Sequence, residues 1–252
     1  MPEIVVQGLT KTFIHKTTGQ KVTAIERLDF EIGEGEIVGI VGKTGCGKST
    51  FLSILLGVER PTEGRVLVDG KEPYRDFYYF KGKISAIFQQ DLLLPWRTAI
   101  ENVKLGLEIL NYPKEKQIDI SKAWLAKVGL EKFLNSYPGE LSGGMRQRVA
   151  IARAFAINPE IILADEAFGH LDVVTATTLR EDFNRLVREQ KKTAVIVTHQ
   201  LDEAVDMVDR VLVFGRPARL VADLQVPNGA KQSISEKKEF VERLHNLIEN
   251  SG

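Results

Sequence analysis

Ile37-Val38-Gly39-Ile40-Val41-Gly42-Lys43-Thr44-Gly45-Cys46-Gly47-Lys48-Ser49 is the stretch that decides the fold. Its first five residues form a short apolar run bounded by glycines, which predicts a β-strand covered on both faces. The next eight fit the pattern G-x-x-x-x-G-K-[ST], and the apolar segment Thr50 to Leu56 behind them reads as a helix. Gly42, Gly45 and Gly47 allow the backbone to curve around a polyphosphate with the amides of Lys43, Thr44 and Cys46 facing it. The helix start, through Thr50, adds partial positive charge. Lys48 offers a full charge to the β and γ phosphates, and the Ser49 hydroxyl is placed to ligate Mg²⁺. A nucleoside triphosphate is the expected ligand.

Outward from this loop, Ile4-Val5-Val6 and the alternating Leu28 to Ile32 predict strands, as does Arg65 to Gly70. On the far side, Ile161 to Ala164 reads as a strand and Val174 to Gln190 as a helix. Ala194 to Thr198 follows as a strand, then a short helix and the strand Arg210 to Phe214. That βαβ rhythm implies a parallel sheet with its ligand at the carboxyl ends of the strands. Between the two β-rich regions lies a largely helical block, about residues 92–157. It holds Ala99 to Leu110 with a Thr98/Glu101 capping box, about Ile120 to Val128, and Gly143 to Ala156. From Ser233 on, Phe240, Val241, Leu244, Leu247 and Ile248 carry the spacing of an amphipathic helix, with Ser233 and Glu236 as a second capping box. The expectation is an α/β fold with a mostly parallel sheet, an antiparallel β subdomain and an inserted helical subdomain. The boundaries are residues 1–232 for the nucleotide-binding domain and 233–252 for the final helix.

Composition bounds the function. A chain of 252 residues with 43 % hydrophobic and 27 % charged residues is an ordinary globular one, and at this size roughly 70 to 75 % of its surface is expected to be buried. Lys and Arg total 34 against 34 Asp and Glu, which argues against a nucleic-acid binder working by bulk charge. Cys46 is the single cysteine, so no internal disulfide forms and a reducing compartment is expected. Met1-Pro2-Glu3-Ile4 does not read as a secretory signal. The longest run without a charged residue, Ser49 to Val58, spans ten residues, well below the 18 to 20 or so of a membrane span.

Two further segments carry chemistry. Asp165 ends the strand Ile161 to Ala164, where a carboxylate holds Mg²⁺ through water. Glu166 directly after it points elsewhere and is placed to orient or deprotonate an attacking water. Leu141-Ser142-Gly143-Gly144-Met145-Arg146-Gln147-Arg148 opens the helix to Ala156, with Ser142 as N-cap and two glycines that leave the first-turn amides uncovered. Arg146 and Arg148 disfavour the positive end of a helix dipole. An anion or a partner carboxylate at that end would explain them. Two helix starts suited to phosphate fit one nucleotide sandwiched between two copies of the chain.

On these three segments, which occur once each and in order, the chain resembles the ATP-binding subunit of ABC transporters over almost its whole length, with a P-loop, RecA-like core. Ser142 and Asp165 lie 23 residues apart, room for one helix and one strand. The resemblance implies further roles. Phe13 matches the aromatic that stacks on adenine. Gln89, with Gln90 beside it as the competing choice, matches the glutamine that reaches Mg²⁺ and the attacking water. His199 is similar to the switch histidine at the γ-phosphate, and Asp172 to the aspartate that communicates across the dimer. Ser142, Gly143 and Gly144 of one copy would then meet the phosphate held by Lys48 of the other. Ala167 and His170 depart from the pattern, which commonly has proline and a small residue there. Cys46 reads as a small filler inside the loop.

Leu93-Leu94-Pro95-Trp96-Arg97 and Gly215-Arg216-Pro217-Ala218-Arg219-Leu220-Val221 resemble subunits of the nitrate/sulfonate/taurine/bicarbonate importers, the leucines and Trp96 lining a pocket for a short permease helix. The resemblance implies an ATPase at the cytoplasmic face of the inner membrane that energises import of a small anion. Its partners are membrane-spanning permease subunits, a second copy of itself and, indirectly, a solute-binding protein. An exporter or lipid/lipoprotein system, a soluble ABC ATPase and a nucleotide-sensing module without turnover are the competing readings.

Overall fold

In chain order, the computed structural model, which describes residues 4–15, 17–169, 171–231 and 233–251, forms β1 (Ile4–Ile14), β2 (Lys21–Ile32), β3 (Ile37–Gly42), α1 (Lys48–Leu55), β4 (Glu63–Val68), β5 (Ile84–Phe88), α2 (Ala99–Ile109), α3 (Lys114–Lys127) and α4 (Gly143–Ala156). It continues with β6 (Ile161–Asp165), α5 (Val173–Glu189), β7 (Thr193–Val197), α6 (Leu201–Met207), β8 (Arg210–Phe214), β9 (Leu220–Gln225) and α7 (Ile234–Glu249). These elements fall into two compact units, residues 1–79 with 193–252 and residues 80–192.

In the first unit, β2, β1 and β4 form an antiparallel sheet with β1 in the middle. Both β1 and β2 outrun the apolar runs that predict them. Pairing with β2, and with β4 along part of its length, satisfies the backbone of β1 beyond Val6, so polar residues such as Lys11 and Thr12 are carried in the strand. A second sheet places β3 between β7 and β8, parallel to both, with β9 antiparallel on β8. Every β3 residue is buried, as a strand flanked on both sides requires. Phe30, Phe51 and Phe214 gather beneath it with ring centroids 5.5 to 6.1 Å apart, so β2, α1 and β8 share one apolar core. β9 is absent from the sequence reading because its residues are only half covered and follow a Gly-Arg-Pro turn. Arg210 anchors it, donating Nε and Nη2 to the Asp223 carboxylate at 2.5 and 2.6 Å and Nη1 to Glu36. These bonds raise the Arg210 pKa.

Helix α7 buries Phe240 and Leu244. Ser233 caps it by accepting from the Glu236 amide at 3.5 Å, the one half of the expected capping box that is made. Lys237 pairs with Asp206 at 2.7 Å.

In the second unit β5 and β6 run parallel in the register Ile84↔Ile161 to Phe88↔Asp165. This unit's own core holds Trp124, Phe155, Phe183 and Phe168, consecutive ring centroids lying 5.3, 5.9 and 5.5 Å apart. Helix α4 supplies Val149, Ile151 and Phe155 to it. Helix α3 starts at Lys114, earlier than its apolar periodicity indicates, because its first turns carry charged, exposed residues.

The Thr98/Glu101 capping box of α2 forms as predicted. The Glu101 carboxylate accepts from the Thr98 amide at 2.8 Å and from its hydroxyl at 3.0 Å, which holds its pKa below the ordinary value. This contribution is present above the usual carboxylate range and fades as pH falls through the lowered value. Thr98→Ala is expected to destabilise the fold by about 1 kcal/mol, seen as a lower urea midpoint at unchanged slope.

Candidate functional site

Strand β3 delivers the glycine loop at its carboxyl end, where Gly42 pairs with Phe214. A Cβ on Gly42 would stand 2.5 Å from the Phe214 carbonyl oxygen, and one on Gly47 would stand 2.3 Å from that of Ala24. Gly47 also sits at φ 116° as the residue before α1, a region closed to side-chain-bearing residues. Lys48, only 5 % exposed, donates from Nζ to the Gly42 carbonyl at 2.8 Å and the Lys43 carbonyl at 3.2 Å. Its ammonium therefore spans the loop from inside. The buried Cys46 sulfur lies 3.9 Å from that nitrogen, filling the floor as expected. Thr44, Gly45 and Ser49 face solvent and Thr50 is half-buried.

The turn after β7 is built as carefully. The Thr198 amide donates to the Ile40 carbonyl at 3.3 Å, so His199 emerges at the same sheet edge as the glycine loop. Thr198 Oγ1 donates to the Glu203 carboxylate at 2.8 Å and accepts from the Gln200 amide at 3.0 Å. That pins the turn and leaves His199 exposed. Phe13 lies near the tip of the β1–β2 hairpin, opposite Val22, 40 % exposed. The Lys11 ammonium sits 4.7 Å from its ring centroid.

The second unit holds the other group of predicted residues. Because Phe88 and Asp165 are in register, Gln89 and Glu166 leave adjacent parallel strands at their carboxyl ends. Glu166 adopts φ 49°, a conformation that non-glycine residues occupy at a cost of about 1–3 kcal/mol and that concentrates at functional sites. Beside these ends a cavity of about 400 Å³ is lined by Gln89, Gln90, Gly143, Arg146, Gln147 and Ala167, among others.

Ser142 caps α4, accepting from the Met145 amide at 3.3 Å. A Cβ on Gly144 would lie 2.5 Å from the Thr175 methyl, so glycine permits that close approach. Arg146 and Arg148 have carboxylate partners within the chain, Asp91 at 2.9 Å and Asp182 at 2.7 Å. Their positions at the positive end of α4 are thereby explained without an outside anion.

Residues 25–169 match the ABC transporter family. The chain belongs to this family. It is 40 % identical over 251 residues to the uncharacterised ABC transporter ATP-binding protein MJ0412 of Methanocaldococcus jannaschii, covering 97 % of this chain and 91 % of that one. It is 37 % identical to the nitrate transport protein NasD of Klebsiella oxytoca (88 % and 84 % covered) and 38 % identical to the bicarbonate transport ATP-binding protein CmpD of Synechocystis (84 % and 73 %). Among solved structures, the dimeric post-hydrolysis state of the ATP-binding cassette MJ0796 bound to ADP and Pi superimposes with a TM-score of 0.79 at 35 % identity, over 89 % of this chain and 99 % of that one. The mixed α/β architecture, parallel-rich with an antiparallel sheet, is that of the ABC cassette. The chain is accordingly an ABC transporter ATPase subunit, which binds and hydrolyses ATP, and cassettes of this family form dimers and work with membrane permeases.

Within this ABC cassette, Asp172 is the N-cap of α5, its carboxylate accepting from the Thr175 amide at 3.0 Å. Hydrogen bonds from the Thr175 side chain and backbone keep its pKa low. Trp96 is 70 % exposed, whereas Leu93, expected beside it in an apolar pocket, is buried. His170, and the opening Met1-Pro2-Glu3, lie outside the described residues. No described helix is long and apolar enough to cross a membrane.

Two residues that hold the second unit's loops carry no local signal of that role in the sequence. Gln147 donates to the Ala167 carbonyl at 2.7 Å and, more weakly, to that of Phe88 at 3.4 Å. Arg153 donates to the carbonyls of Asp91 and Leu92 at 2.7 and 2.8 Å. Burial lowers the Arg153 pKa, and Asp91 opposes that shift. Gln147 and Arg153 stand in quoted helix residues, but only the fold shows what they reach.

Among the described residues no three His, Cys, Asp or Glu side chains cluster as a metal cage. Mg²⁺ carried by a nucleotide keeps most of its ligands as phosphate and water, and one or two protein oxygens suffice. The exposed Ser49 hydroxyl in the first unit is one oxygen of this kind, and in the second unit the half-buried Asp165 carboxylate at the carboxyl end of β6 is another.

Proposed function

We propose that this ATPase energises import of a small anion such as nitrate or bicarbonate, working as a head-to-tail pair of cassettes under a permease at the cytoplasmic face of the membrane. The observation that carries the choice of solute is the likeness to the nitrate and bicarbonate proteins over more than four-fifths of this chain. Residues 1–232 act as the nucleotide-binding domain, with 92–157 as its helical part. The exposed Trp96 supports docking of a permease helix on that part.

In this reading the amides from Gly42 to Thr50 and the Lys48 ammonium bind the triphosphate, and Phe13 stacks on adenine. Ser49, Asp165 and Gln89 would hold Mg²⁺, which would supply charge neutralisation at the phosphate oxygens. Glu166 takes a proton from the attacking water, and His199 hydrogen-bonds the transferred phosphoryl group. Ser142 and the amides of Gly143 and Gly144 from the second copy close over the γ-phosphate, and hydrolysis removes what they grip.

The test is uptake of labelled nitrate, bicarbonate and taurine by vesicles carrying the permease complex, with ATP on the cassette side. Accumulation of one anion that stops in the Lys48→Met complex is the expected result. Outward movement of solute, or ATP turnover stimulated only by a cation or lipid, would overturn the assignment.

A further inference from the structure

The first unit wraps its glycine loop in parts of the chain that ATP chemistry does not require. Past the turn after β8, the Ala218 amide donates to the Ala24 carbonyl at 3.0 Å. There a Cβ on Gly47 would also stand 3.0 Å from the Ala218 methyl. The same turn holds the carboxyl end of α7. Arg219 Nη2 donates to the Ser251 carbonyl at 3.1 Å, and Gly215 lets that carbonyl approach to 3.1 Å of where a Cβ would stand. Ser251 is buried, and its hydroxyl donates back to the Ile248 carbonyl at 2.7 Å.

Lys43 completes the connection. Its side-chain Nζ donates to the Glu249 carbonyl at 3.1 Å, and its own backbone carbonyl accepts from Lys48 Nζ at 3.2 Å. A cation at the carboxyl end of a helix is electrostatically favoured, since the last carbonyls there lack intrahelical donors. One residue thus grips α7 with its side chain and seats the buried ammonium with its main chain.

We infer that Lys43 is a positioning residue: by clasping the carboxyl end of α7 it fixes the outer limb of the phosphate loop, and so couples α7 to ATP affinity. This rests on the reading of Lys48 as the phosphate-binding ammonium. Linkage requires the coupling to act both ways, so ATP binding tightens the α7 end as much as the α7 end tightens ATP.

The experiment measures equilibrium binding of ATP without Mg²⁺ to the full chain, together with amide hydrogen exchange over residues 244–251. Lys43→Met is expected to weaken ATP by about three- to fivefold, the scale of one partly exposed charge-assisted bond, with Lys43→Arg restoring most of it. ATP is expected to slow exchange at the α7 end of the unaltered protein and not of Lys43→Met. Lys48→Met tests the underlying reading separately, since it must abolish binding if Lys48 holds the phosphates. Lys48→Met failing to bind while Lys43→Met binds as the unaltered protein does, or exchange at 244–251 indifferent to ATP, overturns the inference. If Lys48→Met binds normally, the reading of Lys48 fails instead.

Discussion

Glu166→Gln is expected to bind ATP as the unaltered protein does while turnover falls by about 10²- to 10⁴-fold, the contribution of a positioned general base. The amide is nearly the same size as the carboxylate and keeps the backbone at φ 49°, so the loop after β6 has no steric reason to move. What is lost is the capacity to take a proton from water. Because hydrolysis is then blocked after ATP has been gripped, the variant is expected to accumulate as a dimer with ATP bound. Moving such a switch from 1:99 to 99:1 requires ATP to favour the closed form by about 5.5 kcal/mol, within reach of charge-assisted contacts from a second copy. Phosphate release and light scattering with ATP read both effects. Undiminished turnover would remove Glu166 from the base role, and a monomer at every concentration, even with the permease, would remove the paired arrangement.

Gly47→Ala is expected to lose ATP binding altogether under conditions where the parent saturates. The added methyl would stand 2.3 Å from the Ala24 carbonyl oxygen at a φ of 116°. That atom belongs to β2, whose backbone is tied to the β8–β9 turn by Glu26 and Ala218, so it has little freedom to retreat. Relief requires the loop itself to unwind, which misplaces the Lys48 ammonium and the first amides of α1. A titration with a fluorescent ATP analogue measures the loss. Gly45→Ala is the informative contrast, because a methyl there meets only the Arg216 guanidinium at 4.0 Å, though its φ of 73° still imposes strain. It is expected to weaken binding without abolishing it. Equal affinity in Gly47→Ala and the parent would mean that the loop is not the phosphate cradle.

Much of this molecule was legible in the chain. The run Ile37 to Ser49, the cap at Thr98, helix Gly143–Ala156 and the strand ending at Asp165 all form where local pattern places them. Each is specified within a dozen or so residues, by apolar period, glycine and capping chemistry. Strands β5 and β9 were not read, since half-buried edge positions carry a mixed pattern that becomes a strand only when a neighbour offers its backbone. Arg146 and Arg148 show the same limit in charge. Their partners Asp91 and Asp182 lie 55 and 34 residues away, beyond any local rule.

By itself the sequence determined the chemistry available: a glycine loop with Lys48 and Ser49, adjacent acids at 165 and 166, and a serine-capped helix with bare amides. Only tertiary structure decided how those groups are held. It folds the end of α7 back onto Lys43, runs Gln89 and Glu166 out of neighbouring strands, and lets Gln147 grip the loop carbonyls. The physical reason is reach. Backbone preference and capping act across a few residues, whereas a side chain's partner is chosen by which distant segments packing brings within about 3 Å of it.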